Sequence, residues 1–354
     1  MIESLQTGGS ERQFVALSRA LDERQFQVSL GCIRPRGAFL EGLSPVTFPL
    51  GGSLYGLQSW KTRVNLSRFL RRQRTAIAHA FDFYSNLTLV PAARFARVPV
   101  VIGSQRQLGD LLSPLQSRAQ MAAFRWCDAV VCNSRAAAKR LIDDGLDEKK
   151  IAVIRNGLGP EAFAPAAPLL PRRSGWLRVG MIARMNSVAK NHRLFLRVAA
   201  QLKNITTQVE FVLAGDGPLR ACLEREAAEL GLGDRVLFLG DCRDVPSVLA
   251  SLDLTVLPSA SESLSNAIIE SMAAGVPVVA TDVGGNSELL SEDRGILVPL
   301  GSESDLAAAI AHLLQQDDVR IHMGNNCRRF AKDNFTLEKM GDNYSELYSK
   351  LLNS

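Results

Sequence analysis

No apolar run in the chain approaches the ~18–20 residues that a membrane-spanning helix needs, and the start MIESLQT lacks the basic residues and apolar stretch of a secretory signal. Both absences point to a cytoplasmic protein. There is no Cys-x-x-Cys pair among the six cysteines (Cys32, Cys127, Cys132, Cys222, Cys242, Cys327), and none of the four histidines stands at metal-ligand spacing, which argues against a disulfide framework and a zinc site. The cysteines read as buried small apolar residues. No Gly-x-Gly-x-x-Gly follows a strand pattern, since GDGPLR and GLGDRV each lack the third glycine, so a dinucleotide-dependent oxidoreductase is disfavoured. No Gly-x-Ser-x-Gly elbow is present for a serine hydrolase, and no biased tract exceeds a short linker, which argues against disorder.

What is present is an ordinary globular composition, 46% hydrophobic and 22% charged, in 354 residues, a length that suits two cores better than one. The net charge of +5 is unevenly held. Residues 1–170 carry 22 Lys and Arg against 13 Asp and Glu, and residues 171–354 carry 19 against 23. The basic first half would favour anionic lipid, nucleic acid or an anionic acceptor.

Short β-branched runs alternate with segments whose apolar positions lie three and four apart. Predicted strands are PVVIG (99–103), DAVVCN (128–133), KIAVIRNG (150–157), LRVGMIA (177–183), VEFVLAG (209–215), RVLFLG (235–240), LTVLP (254–258) and VPVVATD (276–282). This is the pattern of parallel sheets covered by helices on both faces. The stretch 158–176, LGPEAFAPAAPLLPRRSGW, has four prolines and no period, and marks the break between two doubly wound domains. The start is short of a full strand: before Gly8-Gly9 only Ile2 and Leu5 are large aliphatics, so the first strand is either unusually short or already under way where the chain begins. Ser10 and Gln13 form a capping-box pattern with Glu11 in the first turn, predicting a helix from about 11 to 22.

Residues 262–285, ESLSNAIIESMAAGVPVVATDVGG, carry the chemistry. Ser265 suits the N-cap of a helix over 266–274, Gly275 its left-handed C-terminal position, and Pro277 blocks continuation. Glu262 then precedes the helix and Glu270 lies inside it. The free N–H groups near 264–267 make a seat for a phosphate. Two carboxylates beside such a seat, if not merely solvated surface charges, suit neutral hydroxyl groups. A diphosphate flanked by two polyols, as in a nucleotide sugar, meets that demand. Arg184 at a strand end and Lys190 six residues on add two cations able to neutralise a leaving diphosphate without a metal ion.

With these motifs in order, the chain resembles a family 4 glycosyltransferase of the GT-B fold, over nearly its whole length. GGSERQF (8–14) matches the family's opening Gly-Gly loop, VIRNG (153–157) the motif near the linker, and AGDGPLR (214–220) the turn after the next strand. Glu262 and Glu270 match the Glu-x7-Glu pair, and FTLEKMGDNYSELYSKLL (335–352) the last helix. The resemblance implies an acceptor-binding Rossmann-like domain over 1–160, a linker at 161–176, a donor-binding domain over 177–334, and a C-terminal helix at 335–354 crossing back onto the first domain. It implies Glu270 on the ribose hydroxyls, Glu262 on the transferred sugar, and Arg184 and Lys190 on the diphosphate. Ser263, Leu264, Ser265 and Asn266 would meet phosphate or sugar, with Gly8 and Gly9 also at the donor. It further implies retention of anomeric configuration with no protein nucleophile and no cofactor, a UDP- or GDP-sugar donor, and the loop 241–244 near the base.

Two departures stand out. Ser263 replaces a frequent glycine, so the backbone there must tolerate a Cβ, and Ser104-Gln105-Arg106 stands where many members have a histidine. His79 falls where the family often has a histidine facing the cleft, and it could equally be structural, as could Asp82; His192, His312 and His322 read as surface residues. The segment SWKTRVNLSRFLRRQR (59–74) has six cations and no acid and resembles a basic amphipathic helix for an anionic membrane surface, or a solvated face whose apolar residues join the core. No nucleic-acid module accompanies it. The expected activity is hexosyl transfer from a nucleotide sugar to a saccharide or lipid-linked saccharide in cell-surface glycan synthesis, at the inner face of the cytoplasmic membrane. A nucleotide-sugar epimerase and a catalytically silent nucleotide-sugar-binding partner are the alternatives.

Overall fold

The computed structural model describes residues 1–21, 25–205 and 208–354. They divide into two compact units, Met1–Gly157 with Leu337–Ser354, and Leu158–Thr336.

In the first unit β1 (Gly31–Cys32) pairs in parallel with β2 (Val46–Thr47), and β3 (Ile77–His79), β4 (Val100–Gln105), β5 (Ala129–Cys132) and β6 (Ile151–Val153) form a parallel sheet in that order. Met1–Glu3 run between the two. Ile2 donates its N–H to Gly31 O and accepts from Ile33 N, while Phe81 N donates to Met1 O at 3.0 Å. Ile2 forms an isolated parallel bridge to Cys32 there. Every side chain of β4 and β5 is buried, because helices cover both faces. One face packs Leu66, Leu70, Val90 and Phe124; the other packs Phe14, Leu17, Tyr344 and Tyr348, the last two from the C-terminal helix Leu337–Leu352.

The first helix spans Gly9–Ala20, and its N-cap is Gly8 rather than Ser10; residue 22, the expected end, lies outside the described residues. Gln13 does not turn back to cap. Its amide donates to Gly157 O at 3.0 Å and accepts from Gly157 N at 2.9 Å, satisfying both backbone groups at the end of the VIRNG motif.

The second unit is a six-stranded parallel sheet built from β7 (Leu177–Ile182), β8 (Val209–Ala214), β9 (Val236–Gly240), β10 (Leu254–Leu257), β11 (Val278–Thr281) and β12 (Ile296–Val298). Its order is β12-β11-β10-β7-β8-β9. The strand sequence turns back on itself between β7 and β10, the topological switch of a Rossmann-type sheet. Residues 161–176 pack on this unit: Leu169 N bonds Ser247 O, Leu170 N bonds Ser251 Oγ, and Arg172 pairs with Asp253 at 2.7 Å. Cys32, Cys127, Cys132 and Cys327 are buried as expected, whereas Cys222 and Cys242 are half-exposed. Among the described residues no helix is long and apolar enough to cross a membrane.

Candidate functional site

In an open parallel sheet ligands bind outside the carboxyl ends of the strands at the switch point. Here those ends belong to β7 and β10, and they carry the predicted cations and carboxylates on adjoining loops. The chain leaves β7 into Arg184, then forms a short 3-10 turn, Val188–Lys190, whose N-cap Ser187 accepts from Ala189 N. From β10 it passes through Ser259–Ser263 into the helix Asn266–Ala274. Ala260 N donates to Ala189 O at 2.7 Å, which ties the two loops together. Across this tie Lys190 Nζ meets Glu262 Oε1 at 2.5 Å, with the Glu262 side chain only 9% exposed and that of Lys190 33%. Glu262 O also accepts from Gly285 N, in the TDVGG turn.

The helix follows its predicted span. Ser265 caps it through Ile268 N, Gly275 at φ 77° ends it, and no acid occupies its first turn, leaving the positive end of the dipole uncompensated from within the helix. Ser263, Leu264, Ser265 and Glu270 are buried, and Asn266 is half-buried. Ser263 is not among the residues of positive φ, so its Cβ costs the backbone no strain. This removes the objection its substitution for glycine raised.

Arg184 is aimed by its neighbours. Ala183 N bonds Ala214 O, Met185 N bonds Asp216 O at 2.9 Å, and Leu219 N bonds Met185 O at 2.9 Å, so the loops after β7 and β8 are joined on both sides of Arg184. Its half-exposed guanidinium has no hydrogen bond or ion pair among the described residues. His192, expected at the surface, is buried instead, with Nε2 3.4 Å from Ala183 O, and burial lowers its pKa. A neutral imidazole under the loop supports it without adding charge. Sequence patterns missed this role; the Lys-Asn-His run at a helix start was the available signal. His312 and His322 are exposed.

The remaining candidates lie in the first unit. Gly8 and Gly9 begin its first helix. His79, at the end of β3, has both ring nitrogens engaged, Nδ1 with Tyr348 OH at 2.7 Å and Nε2 with Ser104 Oγ at 2.8 Å. Burial, with the terminal ammonium and Arg106 adding, holds its pKa well below the usual histidine value, so the ring is neutral and serves as a hydroxyl-to-hydroxyl bridge. Asp82 is a helix cap: it accepts from Ser85 N at 2.8 Å and from Glu3 N at 2.6 Å. Ser104 and Gln105 end β4 and Arg106 follows it, each bonded to other parts of the first unit: Ser104 to Asn86 and His79, Gln105 to Gln120, and Arg106 to Asn156 and Tyr344.

Residues 7–162 match the domain described as Glycosyltransferase Family 4, and residues 177–316 the domain described as Glycosyl transferases group 1. The chain is 26% identical over 363 residues to the UDP-Gal:alpha-D-GlcNAc-diphosphoundecaprenol alpha-1,3-galactosyltransferase of Escherichia coli, covering 96% of this chain and 93% of that one. It is 27% identical over 348 residues to the lipopolysaccharide core biosynthesis glycosyltransferase LpsE of Rhizobium meliloti, covering 96% and 95%. Anabaena Alr3699/HepE, solved with UDP-glucose, superposes with a TM-score of 0.82 at 23% identity over 99% of each chain.

Proposed function

The chain belongs to the family 4 glycosyltransferases of the GT-B fold, and from that premise we propose that it is a retaining, metal-independent hexosyltransferase that uses a UDP- or GDP-sugar and extends a saccharide or lipid-linked saccharide of the cell surface. The observation that carries the reading is the Lys190–Glu262 contact at the β7/β10 switch, beside the acid-free start of the helix Asn266–Ala274. Lys190 has three N–H donors and Glu262 takes one, so the ammonium can hold a phosphate oxygen and the carboxylate together. That places the sugar next to its leaving group. Arg184 and the helix amides supply the remaining positive field, and Glu270 the ribose contact.

On this reading the acceptor oxygen attacks C1 from the face the diphosphate leaves. The new C–O bond forms as the C1–O phosphate bond breaks, and the acceptor proton passes to the departing phosphate oxygen. The protein's part is to orient the two substrates and to stabilise the leaving charge. The test begins with a thermal-shift screen of UDP-, GDP- and ADP-sugars, since selective binding to the folded state raises the melting temperature. The selected donor is then incubated with saccharide acceptors in EDTA. Expected is a product with the donor's anomeric configuration at an unchanged rate; inversion, or loss of transfer in EDTA, overturns the proposal. Donor incubated alone should give no epimer.

The same reading puts the enzyme on the inner face of the cytoplasmic membrane. Residues 42–127 carry eleven Lys and Arg against two carboxylates, Asp82 and Asp110, and the helices Leu57–Arg72, Phe83–Ala96 and Pro114–Arg125 contain no acid at all. Trp60 is 66% exposed and Leu57 83%, on the outward stripe that continues through Arg68 and Arg72; Leu66 and Leu70 face the core. Phe95 and Leu115 are exposed on the neighbouring helices. Exposed apolar and cationic side chains with no acid suit a lipid interface. At about 1 kcal/mol per charge near an anionic surface, the triple substitution Arg68→Gln, Arg71→Gln, Arg72→Gln should weaken cosedimentation with phosphatidylglycerol vesicles by about a hundredfold. Unchanged sedimentation counts against the membrane site.

A further inference from the structure

We propose that Arg106 is the cation of a second oxyanion site, located in the first unit, that receives a phosphoryl or carboxylate group of the acceptor. Arg106 follows β4 at the carboxyl edge of its sheet, the edge where ligand crevices open in parallel α/β units. Its guanidinium lies over the Phe81 ring, 4.6 Å from the centroid. Nη2 donates to Asn156 Oδ1 and Nη1 to Tyr344 OH at 3.4 Å. Both partners are neutral, and no carboxylate within ion-pair distance faces the group among the described residues. Burial disfavours its charge.

A half-buried cation that faces only neutral groups lacks a counter-charge, and a glutamine or an aliphatic side chain at 106 would avoid the cost of burying it. The arrangement makes sense where a ligand brings the counter-charge. Three of the five guanidinium N–H groups have no acceptor among the described residues, enough for a two-oxygen anion to bind in a fork. Asn156, Tyr344 and Phe81 fix the plane of that fork before the ligand arrives. The neighbouring His79 stays neutral between Tyr348 and Ser104, so the charge of the site belongs to Arg106. The geometry accounts for the cation; assigning the anion to the acceptor rests on the transferase reading.

The test uses the full chain in an Arg184→Ala, Lys190→Ala background, which silences the donor's diphosphate seat. Inorganic phosphate and malonate, titrated at constant ionic strength, are the probes. One of them is expected to raise the melting temperature saturably, and which one does distinguishes phosphoryl from carboxylate. Adding Arg106→Gln should weaken that binding at least tenfold, while Arg106→Lys, which keeps the charge but not the fork, should lose less. Absence of a saturable response, or a response unchanged by Arg106→Gln, overturns the proposal. With Arg184 and Lys190 intact, Arg106→Gln should raise KM for a phosphate- or carboxylate-bearing acceptor at least tenfold more than for a neutral glycoside. Arg106-dependent anion binding with no sugar transfer to any acceptor would leave this site standing and sink the transferase assignment alone.

Discussion

Glu270→Ala is expected to weaken binding of the preferred nucleoside diphosphate by about a hundred- to ten-thousandfold. Each hydroxyl-to-carboxylate bond contributes roughly 1.5–3 kcal/mol, and a ribose offers two. Glu270 is buried in a helix whose N-terminus faces the switch point, so its carboxylate is placed by the helix and does not depend on a loop. Glu262→Ala should act differently. It releases Lys190 from its 2.5 Å contact, so nucleoside diphosphate binding holds or tightens while kcat falls about a hundredfold with the loss of the sugar contact. Lys190→Ala is the severe member of the set: it leaves a nearly buried carboxylate unpaired beside the incoming diphosphate, a penalty of roughly 3 kcal/mol by comparison with other broken buried pairs. The double variant Glu262→Ala, Lys190→Ala should therefore bind nucleoside diphosphate better than Lys190→Ala alone. Calorimetric titration of the four proteins measures this, and simple additivity would mean that the two side chains do not share a ligand.

Why was so much of the second unit legible? Its site is built from local signals. Ser265 and Gly275 mark the helix that holds Glu270 and follows Glu262, and the β-branched runs mark the strand whose end leads into Arg184 and Lys190. The pairing of Lys190 with Glu262, 72 residues apart, needed only the strand order to bring two recognisable loops together. The first half resisted because its decisive contacts are non-local. Gln13 has the sequence of a capping residue, but its amide is claimed by Gly157, 144 positions away, and the cap falls to Gly8. His79 sits at a strand end as its pattern suggests, yet its character is set by Tyr348, 269 positions on. Strands of two residues, such as Gly31–Cys32 and Val46–Thr47, are too short to show a period. His192 was misread for a different reason: its ring lies against the carbonyl of Ala183, only nine residues back, but whether a histidine at a helix start turns inward is decided by packing that no periodicity encodes.

Gly215→Ala should be the most damaging single methyl group in the second unit. Gly215 has φ +141°, and a Cβ built there would stand 2.1 Å from Ala183 O and 2.7 Å from Ala183 C, both rigid backbone. The substitution thus combines a strained conformation with a clash, each worth about 1–3 kcal/mol, for a total loss of roughly 2–6 kcal/mol. The clash falls on the strand end that aims Arg184, and the bonds Ala183 N to Ala214 O and Gly215 N to Gly240 O must lengthen to relieve it. Binding of nucleoside diphosphate should then fall at least about tenfold even where the protein remains folded, since a displaced cation loses a charge-assisted contact. Gly301→Ala supplies the control. At φ +79° it carries the backbone strain with no atom within 4 Å of the new methyl, so it should cost about 1 kcal/mol and leave binding intact. Urea unfolding followed through amide exchange in the second unit gives the stability terms, and calorimetry gives the affinities. If Gly215→Ala behaves like Gly301→Ala in both, the close approach of the two loops is not what holds Arg184 in place.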